Sequence, residues 1–292
     1  MLIKMVIPKG SLEEQTLALL RDADLPVRRS GDREYNARID DERISQVAIL
    51  RPQEIGKYVE EGLFDVGITG LDWIEETGSD VEILADFPYA KTGTGGTLRI
   101  VLAVLKESGV STPQDLPPGT RVATEYPNIA RSYFEKVGVP ARVIASAGAT
   151  EAKVPNIVDA VVEITETGST LRAHGLEIID DVMVTSTKLI ANRESWADPR
   201  KRKLIEEIRM LLLAALQARG KVLLKMNVAE AKHAEVLDIL PSMDSPTLNR
   251  LANGDFAIET VVEKRVLAEL IPRLKENGAT GILEIPLGKV VP

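Results

Sequence analysis

The chain has no cysteine and only two histidines, His174 and His233, among 292 residues. That excludes disulfides, thiolate chemistry and cysteine-ligated zinc or iron–sulfur sites together. It also argues against a histidine-built metal centre or a Ser-His-Asp triad. Aromatic residues are scarce, at 4%. Basic residues number 36 against 44 acids, leaving a net charge of −8. Such a balance gives no basic footprint for a nucleic-acid backbone, although an anionic small molecule needs only a local cradle. Long apolar runs are missing too. The longest candidate, Met210 to Leu216, reads as one face of a helix, so no membrane partner is expected. The opening MLIKMVIPKG is a poor secretory signal, because Pro8, Lys9 and Gly10 interrupt its short apolar run. The expected location is therefore cytoplasmic. What remains is ordinary globular composition, 44% hydrophobic and 27% charged, with length for two or three domains.

The most informative stretch is Val158 to Leu171, VDAVVEITETGSTL. Side chains alternate along a strand, so Asp159, Val161 and Glu163 share a side. Thr165, Glu166, Thr167, Gly168, Ser169 and Thr170 follow, with four hydroxyls around one glycine. Gly168 allows a tight turn in which successive N–H groups converge. Leu171 to His174 reads as a short helix stopped by Gly175, which puts the loop at a helix N-terminus, a place that favours phosphate. An acid at a strand end followed by a phosphate cradle suits a phosphorylated sugar. A solvated Thr-rich turn is the alternative that this local pattern leaves open.

Elsewhere the chain alternates strands and helices. Strands are expected at Leu2–Ile7, Val47–Leu50, Asp65–Thr69, Leu98–Leu105, Arg121–Ala123, Ala141–Ala145, Ala160–Ile164 and Lys188–Ala191. Helices are expected from Leu12 to Asp22, with Ser11 and Glu14 as a capping box, then Gln53–Glu61 and Asn128–Val137. A further helix starts at Gly70, Leu71 and Asp72. The longest runs from Pro199, capped by Asp198, to Gly220. This alternation predicts a mainly parallel sheet with ligands at the strands' carboxyl ends. Beyond Gly220 the rhythm becomes βαββαβ, the ferredoxin-like order. Gly93, Gly95 and Gly96 precede a strand rather than follow one, so they read as a crossover or hinge and not a dinucleotide loop. Tyr126 can stack on a base or sit in the core, Glu151 and Lys153 stand before the site strand, and His174 reads as a polar residue of a short helix.

Taken in order, PKGSL, FDVGITGLDW, RVATEYP, DAVVEITETGSTL, SPTL and GATGIL resemble the ATP phosphoribosyltransferase family in its long form, which opens histidine biosynthesis. The resemblance covers essentially the whole chain. It implies an α/β catalytic part of two lobes, akin to type II periplasmic binding proteins, with lobe I from 1–95 and 186–219 and lobe II from 96–185. It also implies an ACT-like, ferredoxin-like regulatory domain from 220–292. The implied substrates are 5-phosphoribosyl diphosphate (PRPP) and ATP, with Mg²⁺ held largely by the PRPP diphosphate. Histidine would inhibit, and the homo-oligomer would range from dimer to hexamer. Thr165 to Thr170 would hold the 5-phosphate, and Glu163 and Asp159 would be the acids of the reaction. Lys9, Gly10, Ser11, Gly70, Tyr126 and Glu151 would surround ATP. Asn227, Met243, Thr247 and Gly281 would line the histidine pocket. Glu163 stands where the family usually has Asp, Ser11 where many members have Arg, and Asn227 where some have Asp. Adenine N1 is a nucleophile without deprotonation, so such a reaction needs positioning and charge rather than a strong base. Two rivals are a solute-binding protein of the same two-lobed shape and a phosphoribosyltransferase for another base; only the resemblance selects ATP.

Overall fold

The computed structural model describes residues 2–31, 34–88, 98–241 and 245–291. The Gly93–Gly96 cluster and Met243 therefore lie outside the described residues. The chain forms two compact units, one of residues 1–21 and 25–209, the other of 22–24 and 210–292.

The first unit holds, in chain order, β1 (Ile3–Pro8), α1 (Glu13–Asp22), β2 (Val27–Arg28), β3 (Asn36–Ile39), β4 (Ile44–Leu50), α2 (Pro52–Glu60), β5 (Val66–Gly70), α3 (Leu71–Thr77) and β6 (Glu82–Phe87). It continues through β7 (Leu98–Leu105), β8 (Arg121–Thr124), α4 (Pro127–Val137), β9 (Arg142–Ala145), β10 (Ala160–Thr165), α5 (Ser169–Ala173), β11 (Leu176–Thr185), β12 (Thr187–Ala191), α6 (Arg193–Ala197) and the start of α7 (Pro199–Ala218). Two sheets result, β2-β3-β4-β1-β5-β12-β6 and β11-β7-β10-β8-β9. Pairing is parallel at β4-β1-β5 and at β10-β8-β9, but antiparallel at β3-β4, β5-β12-β6 and β10-β7-β11. The sheets are thus mixed rather than mainly parallel. In the first sheet part of the departure comes from β12, which follows β11 of the second sheet directly and inserts between β5 and β6 against their direction; in the second it comes from β7, which runs antiparallel to both its neighbours.

Strands β7 and β10 are buried on both faces. Ile100, Leu102, Ala160 and Val162 pack on one side, with Tyr133 and Phe134 of α4; Val101, Ala103 and Val161 pack on the other, with Val154 and Leu171. Burial on both faces explains why these strands read as continuous apolar runs. By contrast β11 gave no sequence signal. Its register slips twice, at Ile178/Asp180 and Asp181/Met183, so its alternation is broken around two adjacent acids. The expected capping box before α1 is also corrected. Gly10–Leu12 forms a 3-10 turn that contains Ser11, and Glu13 Oε2 accepts from the Gly10 N–H at 3.1 Å. Asp198 caps α7 as expected, its Oδ1 accepting from the Arg200 N–H at 2.8 Å.

The second unit contains β13 (Lys221–Val228), α8 (His233–Ile239), β14 (Thr247–Arg250), β15 (Phe256–Glu263), α9 (Leu267–Glu276) and β16 (Thr280–Pro286). The sheet is antiparallel throughout, in the order β14-β15-β13-β16. The βαββαβ order read from the sequence is therefore present. Val222, Leu224, Met226 and Val228 face the helices and meet Val236, Leu270 and Leu274. The division between the units falls within α7 at residue 210, ten residues before the expected boundary at 220. Among the described residues no helix is long and apolar enough to cross a membrane.

Candidate active site

A cavity of about 430 Å³ opens in the first unit between the carboxyl ends of strands from both sheets. Thr165, the last residue of β10, and Glu166, Thr167, Ser169 and Thr170, which follow it, form one wall. Opposite stand Ser11 after β1, Pro52 and Gln53 after β4, and Gly70, Asp72 and Trp73 at the end of β5. Ligands of open α/β sheets gather at such strand ends. Two walls from two sheets can hold two reactants against each other.

The first wall is built as the sequence suggests. Gly168 is the residue before α5 and adopts φ 72°, the left-handed region. A Cβ there would lie 3.0 Å from both Arg172 Nη1 and Ile178 Cδ1. The Thr165 hydroxyl accepts from the Gly168 N–H at 2.8 Å, and Thr167 Oγ1 accepts from the Ser169 N–H at 3.3 Å. The helix begins at Ser169, two residues earlier than read from the sequence. His174 closes the same short helix, its Nδ1 lying 3.0 Å from the Thr170 carbonyl, and this is a local structural role.

Glu163 sits just before this wall, half-buried and outside the cavity lining, with its carboxylate bonded to the hydroxyl of Thr150, a fully buried residue. Burial raises its pKa above the usual glutamate range. The Thr150 hydroxyl opposes that rise, while the charges of Glu125 and Glu151 add to it. Asp159 stands just before the other end of β10, also outside the cavity lining, where Arg121 grips it. The Arg121 N–H donates to Oδ2 at 2.8 Å, and its Nη2 donates to Oδ1 at 2.7 Å. That guanidinium holds the Asp159 carboxyl below the ordinary carboxylate range. Four residues of strand separate Asp159 from Glu163 by about 13 Å, so sharing a side of the strand does not bring the two acids together. Asp159→Asn should therefore leave kcat/KM within about twofold and cost at most about 1 kcal/mol of stability, as for an exposed ion pair. Paired turnover and thermal-melt measurements check both.

On the second wall, Ser11 and Gly70 line the cavity, whereas Lys9, Gly10 and Glu151 do not. Lys9 lies over the Tyr35 ring, 4.5 Å from its centroid. Gly70 allows close approach of Asp72, whose Oδ1 would be 2.1 Å from an added Cβ. Tyr126 borders the cavity but is only 2% exposed, so it presents little ring surface to a base. It lies tilted against Trp73 with centroids 4.7 Å apart, and its hydroxyl acts on the Asp72 carboxyl. Burial, then the Asp72 charge, raises the phenol's pKa well above normal. Burial also raises the Asp72 carboxyl, against the hydroxyls of Thr185 and Tyr126, which lower it.

The sequence reading missed Gln53, Trp73 and Asp72 as cavity residues. Gln53 was seen only as a helix start, yet its Oε1 is buried with no partner, the one such side-chain atom among the described residues. Trp73 and Asp72 lay inside a segment noted for its glycine. The described lining also carries three acids, Asp72, Glu125 and Glu166, and no lysine or arginine.

In the second unit Asn227 and Gly281 come together, since a Cβ on Gly281 would lie 3.8 Å from Asn227 Nδ2. Thr247 pairs with Glu259, which pairs in turn with Lys225. Register places Thr247, Lys225 and Asn227 on the sheet face away from the helices, with β15 between Thr247 and Asn227.

Comparison with known proteins agrees with this geometry. The family described as HisG: ATP phosphoribosyltransferase matches residues 51–213, and the HisG C-terminal domain matches residues 218–289. An ATP phosphoribosyltransferase of Nitratidesulfovibrio vulgaris is 47% identical over 99% of this chain and 98% of its own length. Another, from Solibacter usitatus, is 46% identical over the full length of both. A solved chain of the ATP phosphoribosyl transferase (HisG:HisZ) complex from Thermotoga maritima superposes with a TM-score of 0.61 at 28% identity. It covers 73% of this chain and 99% of its own length. The chain thus belongs to the ATP phosphoribosyltransferase family in its long form, the phosphoribosyl-transferring enzymes of histidine biosynthesis.

Proposed function

We propose that this cavity transfers the 5-phosphoribosyl group of PRPP to N1 of ATP. The bond from the anomeric carbon to the diphosphate oxygen breaks, a bond from that carbon to N1 forms, and diphosphate leaves with the bonding electron pair. One observation carries this reading: a hydroxyl-rich loop, which begins two residues after Glu163, faces a second wall from the other sheet across one cavity. The loop would hold the 5-phosphate. Glu163 would stand near the ribose, where positive charge develops as diphosphate departs. The second wall, with Trp73, Gln53 and Ser11, would hold the nucleotide. Diphosphate release measured with PRPP and ATP together, and with either alone, tests the reaction. Release that needs both substrates and yields a phosphoribosyl-ATP product supports it; hydrolysis of PRPP regardless of ATP, or reaction with another base, contradicts it.

Mg²⁺ belongs to the same proposal. No group of three or more His, Asp or Glu among the described residues is placed to hold an ion. The described lining also offers no cation to the substrates' phosphates. These residues fit an ion that arrives on the PRPP diphosphate, with Glu125 or Glu166 as an added oxygen ligand. Bound there, it would neutralise charge on the leaving group.

The first unit would work as two lobes of the type II periplasmic-binding-protein kind in the cytoplasm. The second unit would be an ACT-like sensor of histidine, coupled to a change between dimer and hexamer. Asn227 and the Thr247 hydroxyl supply polar partners for the inhibitor's ammonium or carboxylate. Inhibition at a distance requires histidine to bind one quaternary state more tightly, typically by about 1–3 kcal/mol. Thr247→Val should weaken inhibition about tenfold while leaving uninhibited turnover intact, given one lost hydrogen bond to a charged group. Inhibition constants for histidine in the two proteins check it; an unchanged constant removes Thr247 from the site.

A further inference from the structure

The two walls of the cavity belong to different sheets, and a single short helix ties them together. Helix α3 leaves the end of β5 in the first sheet. Its residues Asp72, Trp73 and Glu76 all reach elements of the second. The Thr185 hydroxyl, at the end of β11, donates to Asp72 Oδ1 at 2.9 Å, and its oxygen accepts from the Asp72 N–H at 3.0 Å. The Tyr126 ring lies against Trp73, and its hydroxyl acts electrostatically on the Asp72 carboxyl. One helical turn on, both carboxylate oxygens of Glu76 accept from the Asn128 N–H at 3.0 Å. Its Oε2 also accepts from the Ile129 N–H at 3.0 Å. The Asn128 side-chain amide donates back to the Glu76 carbonyl at 2.8 Å. Glu76 therefore caps the first turn of α4, where a negative charge is favoured.

Asp72 is 4% exposed and Glu76 7%. Acids so withdrawn from water are seldom tolerated unless fully paired, and here all the partners named come from the opposite sheet's elements. We infer that α3 is an interlobe latch, with Asp72, Trp73 and Glu76 as positioning residues that fix the distance between the two substrate walls. The cavity's gape is then set by a rigid contact beside it, and the phosphate loop and the β5 end are held at one spacing for both reactants. The effect on catalysis rests on the proposal that PRPP and ATP occupy opposite walls; the latch itself rests on the geometry alone.

Tyr126→Phe removes only the hydroxyl that acts on the Asp72 carboxyl and keeps the ring on Trp73. Glu76→Ala removes the cap of α4, and Glu76→Gln returns a neutral acceptor. A latch acts on both walls, so the KM values for PRPP and ATP should rise together, about three- to tenfold in Tyr126→Phe and more in Glu76→Ala. Glu76→Gln should recover part of the loss, and kcat should change less than either KM. The absence of cysteine makes a second measurement clean. Spin labels on single cysteines at exposed Glu61 and Arg142, one on each lobe, should report one narrow distance in the unsubstituted protein. The distribution should be broader or shifted in Tyr126→Phe and Glu76→Ala. A lower melting temperature with both KM values and the distance unchanged would reduce these contacts to ordinary folding interactions and overturn the latch. A rise in one KM alone would make them ligand contacts at one wall. Should the unsubstituted protein release no diphosphate from PRPP and ATP, the reaction proposal falls, and the label distances still decide the latch.

Discussion

Gly168→Val should produce a folded protein whose affinity for PRPP is about a hundredfold lower, equivalent to losing one or two charge-assisted hydrogen bonds to phosphate. Two effects combine. The native φ of 72° lies in the left-handed region, where a β-branched residue is a genuine outlier. An added Cβ also meets Arg172 and Ile178 at 3.0 Å, so the loop must move even before the two methyl groups are placed. The core is spared, because Leu171 and the β10 residues that anchor the segment are unchanged. Calorimetric titration with Mg–PRPP, alongside a circular-dichroism melt, separates lost binding from lost folding. Normal PRPP affinity in a folded variant would remove the 5-phosphate from this loop.

Glu163→Gln should lower kcat by about one to three decades, the range expected when one charge beside a developing cation is removed. The variant keeps an acceptor for the Thr150 hydroxyl, so geometry is largely retained. Because burial and the neighbouring Glu125 and Glu151 raise its pKa, Glu163 stays protonated to a higher pH than an ordinary glutamate. If the carboxylate is the active form, kcat falls as pH drops through that raised value, and the Gln variant lacks this acid limb. Stability moves the other way. A raised folded-state pKa means that the stability of the protonated form is full below the unfolded pKa and is lost as pH rises through the folded one. At neutral pH the Gln variant should therefore be at least as stable as the parent. A kcat within twofold of wild type, with the acid limb intact, would move the role to another carboxylate such as Glu125 or Glu166.

The sequence carried the fold's elements well where they were buried on both faces or capped by distinctive residues. Strands β7 and β10 and the start of α7 lie where periodicity and Asp198-Pro199 put them. The βαββαβ order of the second unit was equally legible, since its strands alternate cleanly between helix-facing and outward residues. Strand direction was not legible. Nothing local in TKLIA tells β12 to insert antiparallel between β5 and β6. The hydroxyl-rich loop that lines the cavity was visible because hydroxyls, glycine and an adjacent acid form one contiguous string. The position of Asp159 away from the cavity was not legible, because alternation fixes a side of the strand and says nothing about which end meets the cavity. Gln53, Asp72 and Glu76 escaped for another reason. Their significance lies in what they face across two sheets, and in sequence they read only as ordinary residues of helix starts and faces.

The central claim is that PRPP occupies the cavity between the two sheets with its 5-phosphate on the loop after β10. A crystal structure with Mg–PRPP bound tests it most directly. The account predicts the 5-phosphate within hydrogen-bonding distance of Thr167, Ser169 and Thr170, and the ribose on the Glu163 side of the cavity. Phosphate density on any other surface of the protein, with this loop unoccupied at saturating PRPP, would contradict it.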